Sequence, residues 1–118
     1  MIDHFNLPVG DLARSRAFYE RVLAPLGYGF VMQDGAAAGF GRDSWEFGIL
    51  AMAAPIQTIH LAFTASSRQA VDDFFSAAIA AGAVSKGAPG LRPDYSPTYY
   101  AAFVIDPDGH NVEAVHRG

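Results

Sequence analysis

The sequence predicts an α+β domain built from two similar halves, each with the order strand, helix, three strands. Segments 2–7 and 58–63 alternate between apolar and polar residues as half-buried strands do, and His4 and His60 occupy the same place in them. A polar turn and a helical apolar stripe follow each segment. The shift that superposes the two histidines also superposes the aromatic pairs of the two stripes. The chain therefore contains one supersecondary unit twice.

Composition limits the class of protein. The chain has 118 residues, of which 51% are apolar, enough for one folded domain with a real core. Its net charge is −4 and its basic residues are scattered, so we expect no nucleic-acid partner. Without cysteine, imidazole and carboxylate are the available metal ligands. No signal-peptide pattern or membrane-length apolar run is present, so we expect a cytoplasmic protein with no membrane partner.

In the first half, segment 2–9 is the expected opening strand, and His4 lies in its polar phase. Asp11 is the expected N-cap of the first helix, and Gly27 is its expected end. An Asp-Gly pair predicts a hairpin turn between the first two of the strands that follow. Those strands are expected at 28–33, 37–41 and 45–52.

Pro55 marks the boundary, which divides a single domain into halves at about residues 1–53 and 56–118. The second helix is expected to start at Ser66, within a capping box, and to end at Gly82. Its following strands are expected at 83–85, 99–105 and 111–116.

Two features separate these last strands. The stretch 87–97, rich in Gly and Pro, predicts a functional loop. Asp106-Pro-Asp-Gly109 predicts a type I turn that makes the final hairpin tight. His110 is then expected at the surface and His116 in a frayed end.

Glu113 is the clearest chemical candidate outside the two histidines. It lies within an apolar strand, where a carboxylate needs an edge, solvent or a partner. Glu46 is its expected counterpart, because one insertion in the 87–97 loop makes the two histidine-to-glutamate spacings equivalent. Both halves would then offer one imidazole and one carboxylate.

The residues of this chain resemble the vicinal oxygen chelate superfamily, which includes glyoxalase I, bleomycin and fosfomycin resistance proteins and extradiol dioxygenases. The similarity covers essentially the whole chain. It rests on Asp3-His4, on the helix start at 11–19 and, most specifically, on the ending 99–115 with its turn and Glu113. The resemblance implies two βαβββ modules forming a cupped mixed sheet, commonly in a homodimer.

Carried over by position, the resemblance implies a divalent metal ion (Fe, Mn, Ni, Zn or Co) held by His4, His60, Glu113 and Glu46, with Glu46 the weakest match. Either glutamate would act as the catalytic base on a small vicinal-oxygen substrate. The residue types suggest substrate contacts or pocket residues in or beside the loop, at Arg92, Tyr95, Tyr99 and Tyr100. In the first half, Trp45 and Phe47 are candidates for a pocket wall or a dimer surface.

Three interpretations stay open. The first is a metal-dependent lyase, isomerase or dioxygenase. The second is a metal-free protein that binds a small molecule, as bleomycin resistance proteins do, and the third is a dimeric scaffold without activity. The joint presence of His4, His60 and Glu113 favours the first, since sequestration needs none of them. Asp94 and Ser96 stand where relatives often carry loop histidines, which argues the other way.

Overall fold

The protein consists of two four-stranded mixed sheets, each packed on one helix. The computed structural model describes all 118 residues. In chain order, the elements are β1 (Phe5–Val9), α1 (Leu12–Leu23), a 3-10 turn (Ala24–Leu26), β2 (Gly29–Asp34), β3 (Ala37–Gly41), β4 (Phe47–Ala51), β5 (His60–Thr64), α2 (Arg68–Ala80), β6 (Val84–Leu91), β7 (Tyr100–Ile105) and β8 (Asn111–His116).

Both sheets have the same topology. Their strand orders are β1-β4-β3-β2 and β5-β8-β7-β6. The first strand of each half pairs in parallel with the last, while the remaining pairs are antiparallel. This confirms the predicted α+β class and the two βαβββ units. Neither helix has the length and apolar character required to cross a bilayer.

Side-chain caps start both helices. The Asp11 carboxylate accepts a hydrogen bond from the backbone N–H of Arg14 at 3.0 Å, as predicted. In α2 the cap is Ser67, whose hydroxyl accepts from the Ala70 N–H at 3.1 Å. The predicted cap, Ser66, was wrong by one residue because only Ser66 has a glutamine three residues later, Gln69, whereas the helix starts from Ser67 with Ala70 at that place.

Strand β6 corrects the predicted loop. It extends to Leu91 and so takes up the first half of the 87–97 stretch. Its pairing with β7 shifts register between Ser85 and Gly87 and again between Gly87 and Gly90. Irregular pairing of this kind accommodates glycine and proline in a strand, which is why the composition alone suggested a loop.

Aromatic rings join the two halves in one continuous core. The ring of Phe47 in β4 meets that of Phe63 in β5 at 5.0 Å, edge to face. Tyr19 of α1 packs against Phe47 at 5.1 Å. Such aromatic pairs add to the stabilisation that comes from burying their area. The halves therefore form a single folded unit.

The turn between β7 and β8 inserts between the halves. Its His110, expected at the surface, is fully buried, with 0% of the residue exposed. The imidazole Nδ1 accepts from the Ile59 N–H at 3.1 Å, and Nε2 donates to the Pro8 carbonyl at 2.8 Å. One neutral tautomer satisfies both bonds. His110 thus ties the end of β1 to the start of β5.

Asp106 of the same turn supports this connection. Its Oδ2 accepts from the Tyr19 hydroxyl at 2.6 Å, and its Oδ1 accepts from the His110 N–H at 2.9 Å. Burial, and next the Asp106 carboxylate, raise the pKa of Tyr19 well above its usual range. His116, expected to be frayed, ends β8 and bonds the Ala65 carbonyl through Nδ1 at 3.0 Å.

Candidate functional site

The second half brings His60 and Glu113 together. In the parallel pair β5–β8, Ala62 lies opposite Glu113, so His60 is the diagonal neighbour on the same sheet face. His60 Nε2 lies 2.9 Å from Glu113 Oε1. The histidine side chain is 50% exposed and that of the glutamate only 2%. An accessible imidazole thus covers a buried carboxylate.

Both side chains are held by further contacts. The His60 Nδ1 donates to the Asn111 carbonyl at 3.2 Å, and the ring stacks on Phe103 with centroids 6.0 Å apart. The second oxygen of Glu113 accepts from the Tyr99 hydroxyl at 2.5 Å. Partners of this kind fix the orientation of ligands in metal sites. His60 Nε2 and Glu113 Oε1 remain the two atoms directed at each other.

Tyr99 is the hydrogen-bond donor that holds the Glu113 carboxylate. Burial, and next its hydrogen bond to Glu113, raise the pKa of Tyr99 from 10.0 to about 12. The phenol therefore keeps its proton across the physiological range. The surrounding cleft has a volume of about 490 Å³ and is lined by His60, Asp94, Tyr95, Tyr99, Phe103, Glu113 and Arg117.

Of the predicted substrate contacts, Tyr95 lines this cleft and Tyr100 does not. Tyr95 is 67% exposed, and its ring meets that of Tyr99 edge to face at 5.0 Å. Tyr100 lies on the opposite face of β7, where its hydroxyl donates to Asp72 of α2 at 2.7 Å. Successive residues of a strand face opposite sides of the sheet, so Tyr99 lines the cleft and Tyr100 does not. Tyr100 therefore lies away from the cleft in which it was predicted to contact the substrate.

Arg92 is also absent from the cleft lining. Its guanidinium donates to the carbonyls of Ala88 at 2.8 Å and Gly90 at 2.9 Å. It also lies over the Phe103 ring, 5.3 Å from the centroid. Arg92 therefore closes the irregular end of β6 and supports the wall behind His60.

His4 lies in a separate cleft of about 320 Å³, with Asp3, Asn6, Ser44 and Trp45. It precedes β1, its side chain is 54% exposed, and its Nδ1 is 2.7 Å from the Asp3 carboxylate. No three histidine or carboxylate side chains of one chain converge on a point that could hold a metal. A single chain thus brings together two of the four predicted ligands.

Glu46 is not the structural counterpart of Glu113. Its Oε2 accepts from the backbone N–H of Arg42 at 2.9 Å and so stabilises the turn before β4. Asn6 pairs with Gly48 in the first half as Ala62 pairs with Glu113 in the second. Position 48 therefore corresponds to position 113. The spacing argument placed the carboxylate two residues early because it counted all 11 residues of 87–97 as an insertion, whereas the corresponding positions differ in spacing by nine, 53 against 44.

Trp45 covers this glycine. A Cβ on Gly48 would come within 2.4 Å of the indole Nε1, and one on the cross-strand partner Gly39 within 2.2 Å of Cδ2. The indole Nε1 donates to Asn6 Oδ1 at 2.9 Å. The ring therefore lies against the glycine pair, in the place where the second half carries Glu113 and its cross-strand partner Phe103.

The pair in the second half fits part of a metal site. Two ligands at roughly 2.0–2.2 Å from one ion, at a right angle, lie about 3 Å apart. The separation of His60 Nε2 and Glu113 Oε1 is 2.9 Å. Imidazole nitrogen with carboxylate oxygen suits first-row divalent metals. At least one further donor is needed, and the same chain does not bring one to this point.

Comparisons with known proteins agree with this architecture. Residues 1–114 match the model of the Glyoxalase/Bleomycin resistance protein/Dioxygenase superfamily. A search of curated proteins gave no match. Among solved structures, a glyoxalase/bleomycin resistance protein from Albidiferax ferrireducens T118 is 31% identical, with 98% of each chain covered and a TM-score of 0.85.

Two more distant structures share the fold. A glyoxalase/bleomycin resistance protein/dioxygenase family enzyme from Burkholderia phytofirmans PsJN is 22% identical, covers 99% of this chain and 98% of its own, and has a TM-score of 0.73. Lactoylglutathione lyase from Agrobacterium tumefaciens is 20% identical, with 98% and 92% covered and a TM-score of 0.71. The whole-chain match and the shared topology together show that this chain belongs to the glyoxalase/bleomycin resistance/dioxygenase superfamily.

Proposed function

We propose that the protein is a metal-dependent enzyme of this superfamily, acting on a small molecule with vicinal oxygens, and that a homodimer completes each site. One observation carries the proposal. His60 Nε2 and Glu113 Oε1 stand 2.9 Å apart, a spacing suited to two ligands of one ion, at the base of an open cleft.

The residues of the second half would hold the ion and handle the proton. A divalent Fe, Mn, Ni, Zn or Co ion bound there supplies Lewis acidity toward substrate oxygens. His60 and Glu113 would bind it, with the Asn111 carbonyl orienting the imidazole and Tyr99 orienting the carboxylate. Glu113 would also act as the general base through Oε1, the oxygen that does not accept from Tyr99. Glu46 has no part in the proposal, since it bonds Arg42 in a turn.

His4 of a second chain is the proposed third ligand. A single chain has only two donors in place, and its own His4 lines another cleft. The first half also exposes apolar side chains that a second copy would cover: Phe5, Phe30, Met32, Leu50 and Met52. In a two-fold dimer each chain would contribute its His4 to the His60–Glu113 pair of the other chain, so two identical sites would form.

Metal analysis of protein purified without a histidine tag is the first test. We expect a ratio near one divalent ion per chain, lost in His60→Ala while the fold is retained by circular dichroism. A ratio near zero in well-folded dimer would contradict the proposal. It would favour the second candidate, a metal-free protein that binds a small molecule in the same cleft, which the lack of a three-ligand cluster within one chain supports.

A mixing experiment tests the shared site. His4→Ala and Glu113→Ala homodimers should each bind little metal, because each lacks a different ligand. After subunit exchange, heterodimers contain one intact site, which restores about one quarter of the wild-type capacity for random pairing. No recovery, with exchange verified by mass spectrometry, would show that one chain supplies all of its own ligands. A mixture of His60→Ala with Glu113→Ala is the matched control and should not recover.

A further inference from the structure

A further cleft, of about 490 Å³, lies between α1 of the first half and the end of α2 in the second. One wall of this inter-half cleft is a single face of α1, where the lining residues follow one another at the spacing i, i+3, i+4, i+7: Arg14, Ala17, Phe18 and Arg21. The other wall is formed by the end of α2, the start of β6, the end of β7 and the turn that follows it. The inter-half cleft shares no lining residue with the clefts of His60 and His4.

Apolar groups make up most of the inter-half cleft. Ala17 and Phe18 lie between the two arginines along α1, and Ala83, Ile105 and Pro107 belong to the opposite wall. Clefts of about 300–1,000 Å³ that combine an apolar lining with a few polar groups are the usual binding sites of small organic molecules. The inter-half cleft therefore has the volume and the lining to receive the apolar body of such a molecule.

The two arginines give the inter-half cleft a positive charge. Arg21 takes part in none of the ion pairs of the chain. Arg14 lies 3.7 Å from Asp108 Oδ1, an oxygen that accepts from the Gly10 N–H at 2.9 Å. The other oxygen of Asp108 accepts from the Ser15 hydroxyl at 3.3 Å. Because Asp108 has these closer partners, its pairing with Arg14 is loose, and both guanidiniums are available to an anion.

No free carboxylate in the lining opposes this charge. Asp106 is the one acidic residue there, and its two oxygens accept from the Tyr19 hydroxyl at 2.6 Å and from the His110 N–H at 2.9 Å. Carbonyls at the end of α2 accept hydrogen bonds from N–H groups of the segment that follows. The chain as a whole has a net charge of −4, so the attraction of an anion to this cleft comes from its own arginines and not from the general charge of the protein.

We propose that the inter-half cleft is a binding site for a small organic anion, in which Arg21 pairs with a carboxylate and the apolar body of the ligand lies along Ala17. Arg14 extends the positive rim about two turns away on the same helix face. The ligand class is an apolar molecule that bears one carboxylate. This site goes beyond the proposed function, since it contains neither His60 nor Glu113 and takes part in no step of that chemistry.

Two matched probes test the charge requirement. 2-Naphthoate and 2-naphthalenemethanol share one aromatic body, but only the first carries a negative charge. Titrated into the ¹⁵N-labelled protein, 2-naphthoate should shift the backbone amide signals of residues 81–84 saturably. The neutral alcohol should bind about 3- to 5-fold more weakly, which is the value of an exposed ion pair, and high salt should reduce that difference. Equal affinities, or no shift at 81–84, would overturn the inference.

Variants of α1 separate the cleft arginines from general surface charge. Arg21→Met should weaken 2-naphthoate binding about 3- to 5-fold and leave the binding of the neutral alcohol unchanged. Arg14→Met should have a smaller effect, because its guanidinium already faces Asp108. Arg16→Met is the matched control, since Arg16 lies on the same helix outside the cleft and bonds Glu20 at 2.7 Å. Equal losses of affinity in Arg16→Met and Arg21→Met would contradict the proposed site.

Three further measurements decide where the probe binds. Ala17→Phe places a ring in the cleft from an exposed helix position, so the fold should persist and 2-naphthoate binding should be lost, whereas retained binding refutes the site. Glu113→Gln should bind 2-naphthoate as wild type does, and a loss of affinity there would place the probe at the proposed metal site instead. Signals of 81–84 that change on dilution of the protein alone would show that a second copy covers the cleft, which also overturns the inference. None of these outcomes bears on the metal proposal.

Discussion

The two halves share one strand topology, and a set of three paired positions shows how their side chains differ. In the first half the triplet is Asn6, Gly48 and Gly39, and the Trp45 indole lies against it. In the second half the corresponding residues are Ala62, Glu113 and Phe103. One sheet therefore carries a buried carboxylate where the other carries an aromatic ring on glycine.

The difference leaves the two sheets with unlike surfaces. The second half carries the His60–Glu113 pair in fixed orientations, while the first carries the Trp45 ring and an exposed histidine, His4. Repeated folds tolerate this because the strand pairing, which the backbone makes, does not depend on which side chains face the cleft. The asymmetry can be tested by changing each member of the comparison.

The largest expected effect is at Glu113. Glu113→Gln removes the charge but keeps an oxygen that can accept from Tyr99. We expect metal affinity to fall by more than about 100-fold, since even the loss of an outer partner costs about 10- to 100-fold. Glu46→Gln is the matched control in the first half and should leave affinity unchanged. Isothermal titration calorimetry measures the metal affinity of both variants. A larger loss of affinity in Glu46→Gln than in Glu113→Gln would contradict the difference between the two halves.

The next effect concerns stability, and it contrasts two histidines. His110→Ala removes two buried hydrogen bonds and leaves the Ile59 N–H and the Pro8 carbonyl unpaired. We expect the free energy of unfolding to fall by about 2–3 kcal/mol. His4→Ala changes an exposed side chain, so its cost should stay within about 0.5 kcal/mol. Urea denaturation measures the stability of both variants. Equal losses of unfolding free energy would contradict the role of His110 in joining the end of β1 to the start of β5.

A smaller effect is expected at Tyr99. Tyr99→Phe removes the hydrogen bond to Glu113 and should weaken metal binding by about 10-fold. It should also change the response to alkaline pH. The raised pKa of Tyr99, about 12 against 10.0, means that its contribution to stability is present below pH 10 and lost as pH rises through about 12.

Urea denaturation across that pH range checks this prediction. Stability should decline less steeply in Tyr99→Phe than in wild type, because the unfolded state no longer releases this proton first. Some decline should remain, since the pKa values of Tyr19 and Tyr100 are raised too. An unchanged slope would mean that the Tyr99–Glu113 bond contributes nothing to folding.

The smallest effect should be equal in the two halves. Asp11→Ala and Ser67→Ala each remove one helix cap, at a cost of about 1 kcal/mol. Ser66→Ala removes a serine that does not cap and should cost less than about 0.5 kcal/mol. Thermal or urea denaturation ranks the three. A greater loss of stability in Ser66→Ala than in Ser67→Ala would mean that Ser66 caps α2, as the sequence predicted.

Sequence patterns were sufficient for the repeated architecture, since periodicity and turn residues located every strand and both helices. They also singled out His60 and Glu113, which the structure places 2.9 Å apart. They failed where register or tertiary contacts decide. Two irregularities in β6 hid part of that strand, and one register difference moved the counterpart of Glu113 from Glu46 to Gly48.

The remaining errors also have physical causes. Residue type and position near the loop grouped Tyr100 with Tyr95, and the hydrogen bond to Asp72 shows that Tyr100 faces the other side of β7. A histidine in a turn is expected to be exposed. The burial of His110 results from the packing of the two halves around its turn, which the sequence pattern does not reveal. His4 and His60, which the sequence predicted to converge, line separate clefts of one chain.

The interlocking turn at Asp106–His110 carries a consequence for evolution. Without the second half, the Tyr19 hydroxyl would lose its acceptor and the Pro8 carbonyl would lose its donor. The ring of Phe47 would also lose its contact with Phe63. Each half therefore depends on the other for partners of its buried polar groups. Recombination that exchanged one repeat between relatives would therefore have to carry the compatible turn along with it.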